Sequence, residues 1–435
     1  MASANKKGQE NSAENNNSAA RIALIASHLQ EPASLFKAVP QAPADAIFSI
    51  LAKYNVDKYY NKTNLTVGAY RDDNGKPWVL PVVKKATEIL LSNPDANHEY
   101  LPMGGLQTFV TAAVKLLLGE DSIAIKEGRA VGVQALSGTG ALRLAAEFLK
   151  KFYNRTVYIS DPTWANHRSI MTDAGLPIAS YPYWNAQEKC LDFEGIMNAL
   201  KQAPNGSIFL LHACAHNPTG VDPTPAQWIK IAEIMKEKDH FPFFDCAYQG
   251  FASGDLDKDA YAVRLFVDMG FELVCSQSFA KNLGLYGQRT GCVTLVTSKK
   301  EYSQRCQTQL AKISRAIVSN CPRFGAEIAN IVLNTPELTE EWYDNLKTMS
   351  SRIIEMRKQL HHYLVDLKTP GSWDHIVDQI GMFSYTGLNV KQCRALMSKF
   401  HIYLTENGRI SMAGLNSKNV KQFAEAIDYV VRNVH

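Results

Sequence analysis

The chain lacks several features that would place it in a simple functional class. Its eight cysteines are scattered and include no CxxC pair, which argues against both a zinc site and a disulfide framework. No apolar run approaches the roughly 20 residues that span a membrane. The net charge is only +4 over 435 residues, and no stripe of Lys and Arg marks a nucleic-acid surface. We therefore expect a globular protein with no metal, no nucleic-acid partner and no membrane contact.

The length and the beginning of the chain suggest how it is organised. A chain of 435 residues exceeds a single-core domain, so two domains are expected. The first residues are polar and Asn-rich, which predicts a disordered extension. Glu10, Glu14 and the single arginine before Glu31 argue against a mitochondrial presequence. The cytoplasm is therefore the expected location.

Short apolar segments alternate with amphipathic ones through the middle of the chain, which is typical of a largely parallel α/β sheet. The predicted strands are Ala130–Leu136, Thr156–Ser160, Ile208–His212, Pro242–Asp245, Leu273–Cys275 and Cys292–Val296. A helix is predicted over Gly140–Phe152, capped by Ser137 or Thr139, and another over Thr224–Lys238. Ligands of such sheets collect at the carboxyl ends of the strands, so polar residues there are candidates for a site.

The most informative segment is the run Ser276–Arg289, in which a polar, glycine-rich stretch follows the apolar strand Leu273–Cys275. Lys281 leaves the strand end, where a desolvated amine with a lowered pKa can act as a Schiff-base nucleophile. Ser278 and Arg289 can hold a phosphate group. Together these residues predict a lysine that carries pyridoxal 5′-phosphate (PLP). For Lys281 taken alone, a surface position is the better interpretation.

Two further polar segments follow apolar strands and fit the same cofactor. Asp245 comes after Phe241–Phe244, where a carboxylate needs a partner; a protonated pyridine nitrogen can be that partner and makes the ring an electron sink. Tyr248 and the Asn217 of an HNPTG motif can hydrogen-bond the phenolic oxygen of the cofactor. Capping of a turn is the simpler interpretation of Asp245 alone.

Four other segments complete the candidate set. An SGTGA run that begins at Ser137 joins a strand to a helix, where backbone amides can bind phosphate, although a tight turn also needs glycine. Trp164 can stack on a pyridine ring or belong to the core. Arg409 lies in an apolar strand and should have an anionic partner. For Arg315 a surface or interface ion pair is the alternative. The histidines of the HACAHNPTG loop are interpreted as structural.

In this order the motifs resemble the class I aminotransferases of PLP-dependent fold type I, and specifically the aspartate aminotransferase family. The resemblance runs from about residue 31 to the C-terminus and includes SGTGA, HNPTG, HEYLP and SQSFAKNLGLYGQR. It implies an α/β large domain at 77–345, with a mostly parallel seven-stranded sheet flanked by helices. A smaller α+β domain would combine 44–76 with 346–435, preceded by an arm at 31–43 and a disordered extension at 1–30.

The resemblance also implies a role for each site residue. Lys281 would form the internal aldimine and move a proton between the substrate Cα and the cofactor, while Asp245, backed by His167, would hold the pyridinium proton. The other cofactor contacts would be Trp164, Tyr248, Asn217, Ser137, Gly138, Thr139, Ser278 and Arg289, with Tyr100 reaching in from a second copy of the chain. The substrate would meet Gly68, Trp164, Asn217 and Arg409, and also Arg315 of the second copy, whose clamp on the side-chain carboxylate would set dicarboxylate specificity.

The function implied by the resemblance is a reversible ping-pong transfer of an amino group between L-aspartate and 2-oxoglutarate, giving oxaloacetate and L-glutamate, by an obligate homodimer. An aromatic-amino-acid transaminase of the same fold is the alternative. Two more distant alternatives are a PLP-dependent lyase or decarboxylase, which retention of both arginine clamps opposes, and a non-catalytic binding protein. Intact Lys281, Asp245 and Arg409 oppose the binding protein.

Overall fold

The structure is a computed structural model that describes residues 20–26 and 34–435. The chain divides into two units. The first ends at Asp45 and contains a short helix, α1, at residues 20–26 and a turn at residues 35–38. The second unit is Ala46–His435. The extension predicted at 1–30 falls largely outside the described residues, whereas the arm predicted at 31–43 is described from residue 34 onward; both stay predictions.

The second unit contains a central sheet and three small two-stranded pairs. Its strands are β1 (Thr63–Asn64), β2 (Ala130–Leu136), β3 (Val157–Asp161), β4 (Ile178–Pro182), β5 (Trp184–Asn185), β6 (Cys190–Leu191), β7 (Ile208–His212), β8 (Phe241–Cys246), β9 (Leu273–Ser278), β10 (Thr290–Val296), β11 (Phe383–Tyr385), β12 (Ile402–Tyr403) and β13 (Arg409–Ser411). The central sheet has the order β2-β10-β9-β8-β7-β3-β4. Only β10 runs antiparallel to its neighbours within this sheet. The prediction of a mostly parallel seven-stranded sheet is confirmed.

Helices cover both faces of the sheet and form most of the C-terminal region. They are α2 (Ala46–Val56), α3 (Pro81–Ser92), α4 (Gln107–Leu118), α5 (Ile123–Lys126), α6 (Ser137–Phe152), α7 (Asn166–Asp173), α8 (Phe193–Gln202), α9 (Pro225–Glu237), α10 (Leu256–Asp259), α11 (Tyr261–Asp268), α12 (Lys300–Val318), α13 (Arg323–Asn334), α14 (Pro336–Asp366), α15 (His375–Asp378), α16 (Val390–Phe400) and α17 (Val420–Asn433), with a 3₁₀ turn at Met412–Gly414. Within the described residues, no helix is long and apolar enough to cross a membrane.

The sheet is buried on both sides, and its sequence shows why. Alternate residues of a strand point to opposite faces, so strands covered on both faces are apolar throughout. In β7, Phe209 and Leu211 pack into the cluster formed with α4, α8, α9 and α11. Ile208 and Leu210 pack on the opposite face with α6 and α7. In β7, β8 and β9 the apolar residues come first and polar residues come at or after the carboxyl end of the strand.

The predicted cap of α6 is wrong. The helix starts at Ser137 rather than Gly140, its N-cap position is Leu136, and no side chain caps it among the described residues. Ser137 has φ +59, and its hydroxyl lies 3.0 Å from Ser278 Oγ instead of bonding a helix amide. The first N–H groups of α6 therefore stay free of side-chain caps, as an anion site at a helix N-terminus requires.

The C-terminal region is built from long helices and short strands. The long helices are α14, α16 and α17. β11 and β13 form an antiparallel pair, and β12 pairs in parallel with β1 near the beginning of the unit. Segments from both ends of the second unit thus meet, as the prediction of one smaller domain requires. Its boundaries stay a prediction.

Candidate active site

Three parallel strands place the first functional residues side by side. In the pairing of β7 with β8, His212 lies opposite Asp245. In the pairing of β8 with β9, Asp245 lies opposite Ser276. Asp245, Ser278 and the segment that starts at Lys281 therefore meet at one edge of the sheet, where ligands of open α/β sheets bind.

Asp245 is a buried carboxylate with one satisfied and one free oxygen. Its Oδ2 lies 3.0 Å from His167 Nε2, and His167 Nδ1 lies 2.8 Å from Thr163 Oγ1. Oδ1 has no hydrogen-bond partner among the described residues. Burial by itself raises the pKa of Asp245, but the hydrogen bond from His167 and the nearby positive charges hold it below the usual value. The site therefore keeps an ionised oxygen available for a cationic N–H donor.

Lys281 is partly buried, with its Nζ 4.8 Å from the centre of the Tyr248 ring. Burial lowers the pKa of Lys281, opposed by the charge of Asp245 and helped by that of Arg289. A lower pKa makes the neutral, nucleophilic amine more accessible. Burial raises the pKa of Tyr248, so its hydroxyl stays protonated and can donate a hydrogen bond.

An anion cradle is formed by the beginning of α6 and the end of β9. Ser137 Oγ and Ser278 Oγ are both buried and lie 3.0 Å apart. A Cβ on Gly138 would lie only 3.1 Å from Ser278 Cβ, so glycine keeps this corner open. Arg289 is held by a 2.8 Å hydrogen bond from its Nη1 to the carbonyl of Tyr286. Hydroxyls, a helix N-terminus and a guanidinium are donors suited to a phosphate.

Arg409 is a buried cation without a carboxylate partner among the described residues. Its Nη2 donates to the carbonyl of Thr66 at 2.8 Å, and its guanidinium lies 4.2 Å from the centre of the Phe383 ring. The Nε has no hydrogen-bond partner in the described part of the chain. Burial lowers the pKa of Arg409 to about 10, so the charge persists at neutral pH. The anionic partner expected from the sequence is thus left for a ligand.

One cavity of about 340 Å³ brings these residues together. Of the predicted residues, it is lined by Gly68, Ser137, Gly138, Thr139, Trp164, Asn217, Asp245, Tyr248, Ser278, Lys281, Arg289 and Arg409. His167 lies behind Asp245 and is fully buried, in the supporting position that was predicted for it.

Besides His167, two predicted residues do not line the cavity. Tyr100 is 83% exposed, and Arg315 is exposed on the last turn of α12. Arg315 bonds Ser319 and, at 3.4 Å, Asn320 Oδ1. The Asn320 amide in turn donates to the carbonyl of Leu101 at 2.6 Å. The surface formed by Tyr100, Leu101, Arg315 and Asn320, called here the Arg315 surface, is therefore continuous.

The histidines of the HNPTG loop are buried and bonded to hydroxyl groups. His212 Nε2 lies 3.3 Å from Thr163 Oγ1, and His216 Nε2 lies 2.9 Å from Ser160 Oγ. Burial lowers the pKa of His212 to about 3, and it lowers that of His216 well below its ordinary value. Both rings are therefore neutral supports of the loop, in agreement with the structural interpretation.

The sequence did not single out every residue that lines the cavity. The additional lining residues are Ile47, Phe48, Leu142, Ala247, Ala280, Tyr286 and Phe383. Phe383 matters most among them, because its ring lies against the Arg409 guanidinium and would be 2.8 Å from a Cβ on Gly68. Tyr286 accepts a 2.9 Å hydrogen bond from the backbone of Tyr70. Tyr286 belongs to the SQSFAKNLGLYGQR motif, whereas no local sequence pattern marks Phe383.

Comparisons with known proteins agree with this geometry. The family model described as aminotransferase class I and II matches residues 60–427. The chain belongs to the class I and II aminotransferases. This aminotransferase is 51% identical over 410 residues to the cytoplasmic aspartate aminotransferase of Gallus gallus, covering 93% of this chain and 98% of the relative.

Solved structures of aminotransferases share the fold. The cytoplasmic aspartate aminotransferase of Saccharomyces cerevisiae superposes with a TM-score of 0.91 at 50% identity, covering 93% of this chain and all of that one. An aromatic-amino-acid aminotransferase of Burkholderia pseudomallei, covalently bound to pyridoxal phosphate, superposes with a TM-score of 0.89 at 40% identity. It covers 92% of this chain and 100% of that one. The protein therefore has PLP-dependent fold type I.

Proposed function

We propose that this protein is a cytoplasmic aspartate aminotransferase, which transfers an amino group reversibly between L-aspartate and 2-oxoglutarate. The observation that carries the proposal is the joint presence, in one cavity, of Lys281, the free Oδ1 of Asp245 and the unpaired guanidinium of Arg409. A lysine, a pyridinium partner and a carboxylate clamp are what transamination of an α-amino acid requires. The substrate and the location are supported by the names of the relatives, which are cytoplasmic aspartate aminotransferases.

The cofactor is PLP, which when bound supplies an electron sink conjugated to the substrate amine. The residues fit this group. Asp245 Oδ1 offers the pyridine nitrogen an acceptor that no described residue uses. The anion cradle of Ser137, Gly138, Thr139, Ser278 and Arg289 suits the phosphate, and Trp164 lines the cavity where it can stack on the ring.

Lys281 is the group that moves the proton at the substrate Cα. Its amine is partly buried above the Tyr248 ring, and burial lowers its pKa, so the neutral form that takes up a proton is more accessible. Tyr248 and Asn217 line the same cavity and would donate to the phenolic oxygen of the cofactor. Asp245 is kept ionised by His167, so it could accept the N–H of the pyridinium ring.

Arg409 binds and orients the α-carboxylate of the substrate. A planar guanidinium can bind a carboxylate through two parallel hydrogen bonds. The contacts of Arg409 with Thr66 and Phe383 fix the plane of the fork. Gly68 and Asn217 also border the place where this carboxylate lies.

The side-chain carboxylate of the substrate is bound by Arg315 of a second copy of the chain, and Tyr100 of that copy completes the phosphate site. Both residues are exposed and outside the cavity of their own chain, which supports a homodimer with shared sites. A large domain at 77–345 and a small domain from 44–76 and 346–435 belong to the same proposal.

An aromatic-amino-acid transaminase is the second candidate. The Burkholderia relative carries that name and shares the fold at 40% identity, so the fold itself admits aromatic substrates. Phe383 and Tyr286 also give the cavity apolar lining. The two candidates differ in the second substrate group, a carboxylate in one and a ring in the other.

The experiment that tests the proposal adds aspartate and, separately, phenylalanine to the purified protein without any 2-oxo acid. We expect aspartate to change the near-ultraviolet and visible absorption of the bound cofactor completely, and phenylalanine to change it little at equal concentration. Equal responses would favour the aromatic candidate. A protein that shows no cofactor absorption after incubation with PLP would contradict the cofactor assignment itself.

A further inference from the structure

Two carboxylates near the cavity have no part in the chemistry proposed above. Asp222 lies five residues after Asn217, and Asp259 lies eleven residues after Tyr248. Among the described residues neither forms an ion pair with Lys, Arg or His. Burial raises the pKa of each to about 6. Asp259 is buried and Asp222 is partly buried. An acid withdrawn from water is unfavourable unless hydrogen bonds satisfy it, so the partners of these two groups indicate their role.

Asp222 accepts hydrogen bonds from the backbone of the loop that carries Asn217. Its Oδ2 accepts a 2.6 Å hydrogen bond from the backbone N–H of Ala215, and its Oδ1 accepts a 2.9 Å bond from the N–H of His216. Ala215 has φ +49, a left-handed conformation that a non-glycine residue adopts only when its surroundings impose it. Gly381 closes the other side, since a Cβ there would lie 2.4 Å from Ala215 Cβ.

Asp259 accepts hydrogen bonds from the backbone of the turn that follows Tyr248. Its Oδ2 accepts hydrogen bonds from the N–H groups of Gly250 at 2.8 Å, Ala252 at 3.2 Å and Ser253 at 3.2 Å. The carbonyl of Tyr248 accepts from the N–H of Ala252 at 3.0 Å. Ala252 thus links Asp259 directly to the backbone of Tyr248.

The loop bonded by Asp222 carries Asn217, and the turn bonded by Asp259 follows Tyr248. Both of these side chains are proposed to contact the same cofactor atom. Asn217 and Tyr248 both line the cavity, and both donate to the phenolic oxygen in the proposed function. A hydrogen bond weakens steeply with distance and misalignment, so two donors from separate loops need both loops held in place. We propose that Asp222 and Asp259 are positioning residues that fix Asn217 and Tyr248 on the phenolic oxygen of the cofactor.

This proposal rests on the proposed function. The hydrogen bonds of the two carboxylates give it specific consequences for substitutions. Asp222 uses both oxygens, one for each N–H. Replacing it by Asn therefore turns one acceptor into a donor that faces an N–H. Asp259 accepts all three backbone N–H groups through Oδ2, so Asp259→Asn keeps that acceptor, whereas Asp259→Ala removes it.

The test is a pH titration of cofactor absorption in the holoenzyme without substrate. Donors to the phenolic oxygen stabilise its anionic form and lower the pKa of the nitrogen that joins Lys281 to the cofactor. We expect Asp222→Asn and Asp259→Ala to raise this pKa by about one unit, the size of one lost hydrogen bond to a charged group. Asp259→Asn should restore the wild-type value within a few tenths of a unit. Asp257→Asn, an exposed residue on the same short helix, is the matched control.

A second measurement separates positioning from general loosening. If Asp222 acts through Asn217, then Asp222→Asn should change the pKa of the cofactor nitrogen little in an Asn217→Ala background, because the coupled pair is already broken. Amide hydrogen exchange of the cofactor-free protein should accelerate at Ala215 and His216 in Asp222→Asn. It should accelerate at Gly250 and Ala252 in Asp259→Ala.

Unchanged titrations in Asp222→Asn and Asp259→Ala, despite faster exchange of these amides, would overturn the proposal. So would an effect of Asp222→Asn that is undiminished in the Asn217→Ala background. If Asp222→Asn does not fold, the contrast between Asp259→Ala and Asp259→Asn decides the proposal by the same criterion. Absence of a cofactor band in the wild type would contradict the proposed function instead, so the two failures are distinguishable.

Discussion

Arg409 and Arg315 are both assigned to substrate carboxylates, but they have opposite surroundings. Arg409 is buried in the cavity wall against Phe383, with an unpaired Nε. Arg315 is exposed and makes its hydrogen bonds to Ser319 and Asn320 of its own helix end. One chain therefore supplies a prepared site for one carboxylate, whereas the second clamp lies on the surface. In the proposed function, a dicarboxylate site therefore needs two copies of the chain.

The Arg315 surface is held by contacts within its own chain, as the proposed role of Arg315 in a second copy requires. Asn320 bonds the carbonyl of Leu101, and Arg323 bonds the carbonyl of Glu99 at 3.1 Å. Tyr100 is thus held between two anchored neighbours although its own side chain is exposed.

Lys281→Ala removes the amine that acts on a substrate bound by both arginines. We expect turnover of aspartate with 2-oxoglutarate to fall by roughly 10⁴-fold or more, because the nucleophile and the proton carrier are the same group. PLP should still bind without a covalent bond, which equilibrium dialysis checks. Lys258→Ala, at an exposed lysine on α10, is the control. Undiminished turnover in Lys281→Ala would refute the assignment of this lysine.

Arg409→Leu removes the buried clamp. Since the α-carboxylate is common to all amino acids, kcat/KM should fall by roughly 10²–10³-fold for aspartate and phenylalanine alike, as for a truncated buried charge pair. Steady-state kinetics with both substrates measures the ratio. A loss confined to aspartate would place the α-carboxylate elsewhere.

Arg315→Asp reverses the charge of the exposed clamp. We expect kcat/KM for aspartate to fall about 10²-fold more than that for phenylalanine, because only aspartate has a second carboxylate to repel. Arg305→Asp, at another exposed arginine of α12, controls for the change in net charge. Equal losses for both amino acids would mean that the distal clamp is a different residue.

The smallest expected effect is on the pH dependence of the free energy of unfolding. The pKa of His212 is lowered to about 3 by burial, whereas an unfolded histidine titrates near 6.5. Because the unfolded chain takes up a proton first as pH falls, the stability contributed by neutral His212 is present above pH 6.5 and is lost below it. Between pH 6.5 and pH 5 the free energy of unfolding should fall by about 2 kcal/mol more in the wild type than in His212→Gln. Parallel pH profiles in urea unfolding would contradict this.

The sequence predicts best where physical constraints are strongest. β2 and β7 begin and end at the predicted residues. A strand buried on both faces is a run of mostly apolar residues, and polar residues mark where it begins and ends. β4, β5 and β6 were missed, since they contain exposed or intermediate residues and have no such pattern. The α6 cap was wrong because Ser137 bonds Ser278, a partner 141 residues away.

The candidate site was predictable to the extent that its residues are chemically distinctive and follow strands. Asp245 and Lys281 meet both conditions. Phe383 meets neither, because an aromatic residue in the C-terminal region carries no sign that it will lie against Arg409. Asp222 and Asp259 were not singled out, since an acid near a loop ordinarily caps a turn. Only the three-dimensional partners of such residues reveal their role.

The most direct test of the shared site is complementation between Arg409→Leu and Arg315→Asp subunits. Each variant alone should be nearly inactive with aspartate. In a mixed dimer of the two, one site contains both substitutions and the other contains neither. Random pairing makes half of the dimers mixed, so co-expression should restore about a quarter of the wild-type activity. If activity stays at the level of the separate variants, Arg315 acts within its own chain or not at all, and the proposed two-copy site is wrong.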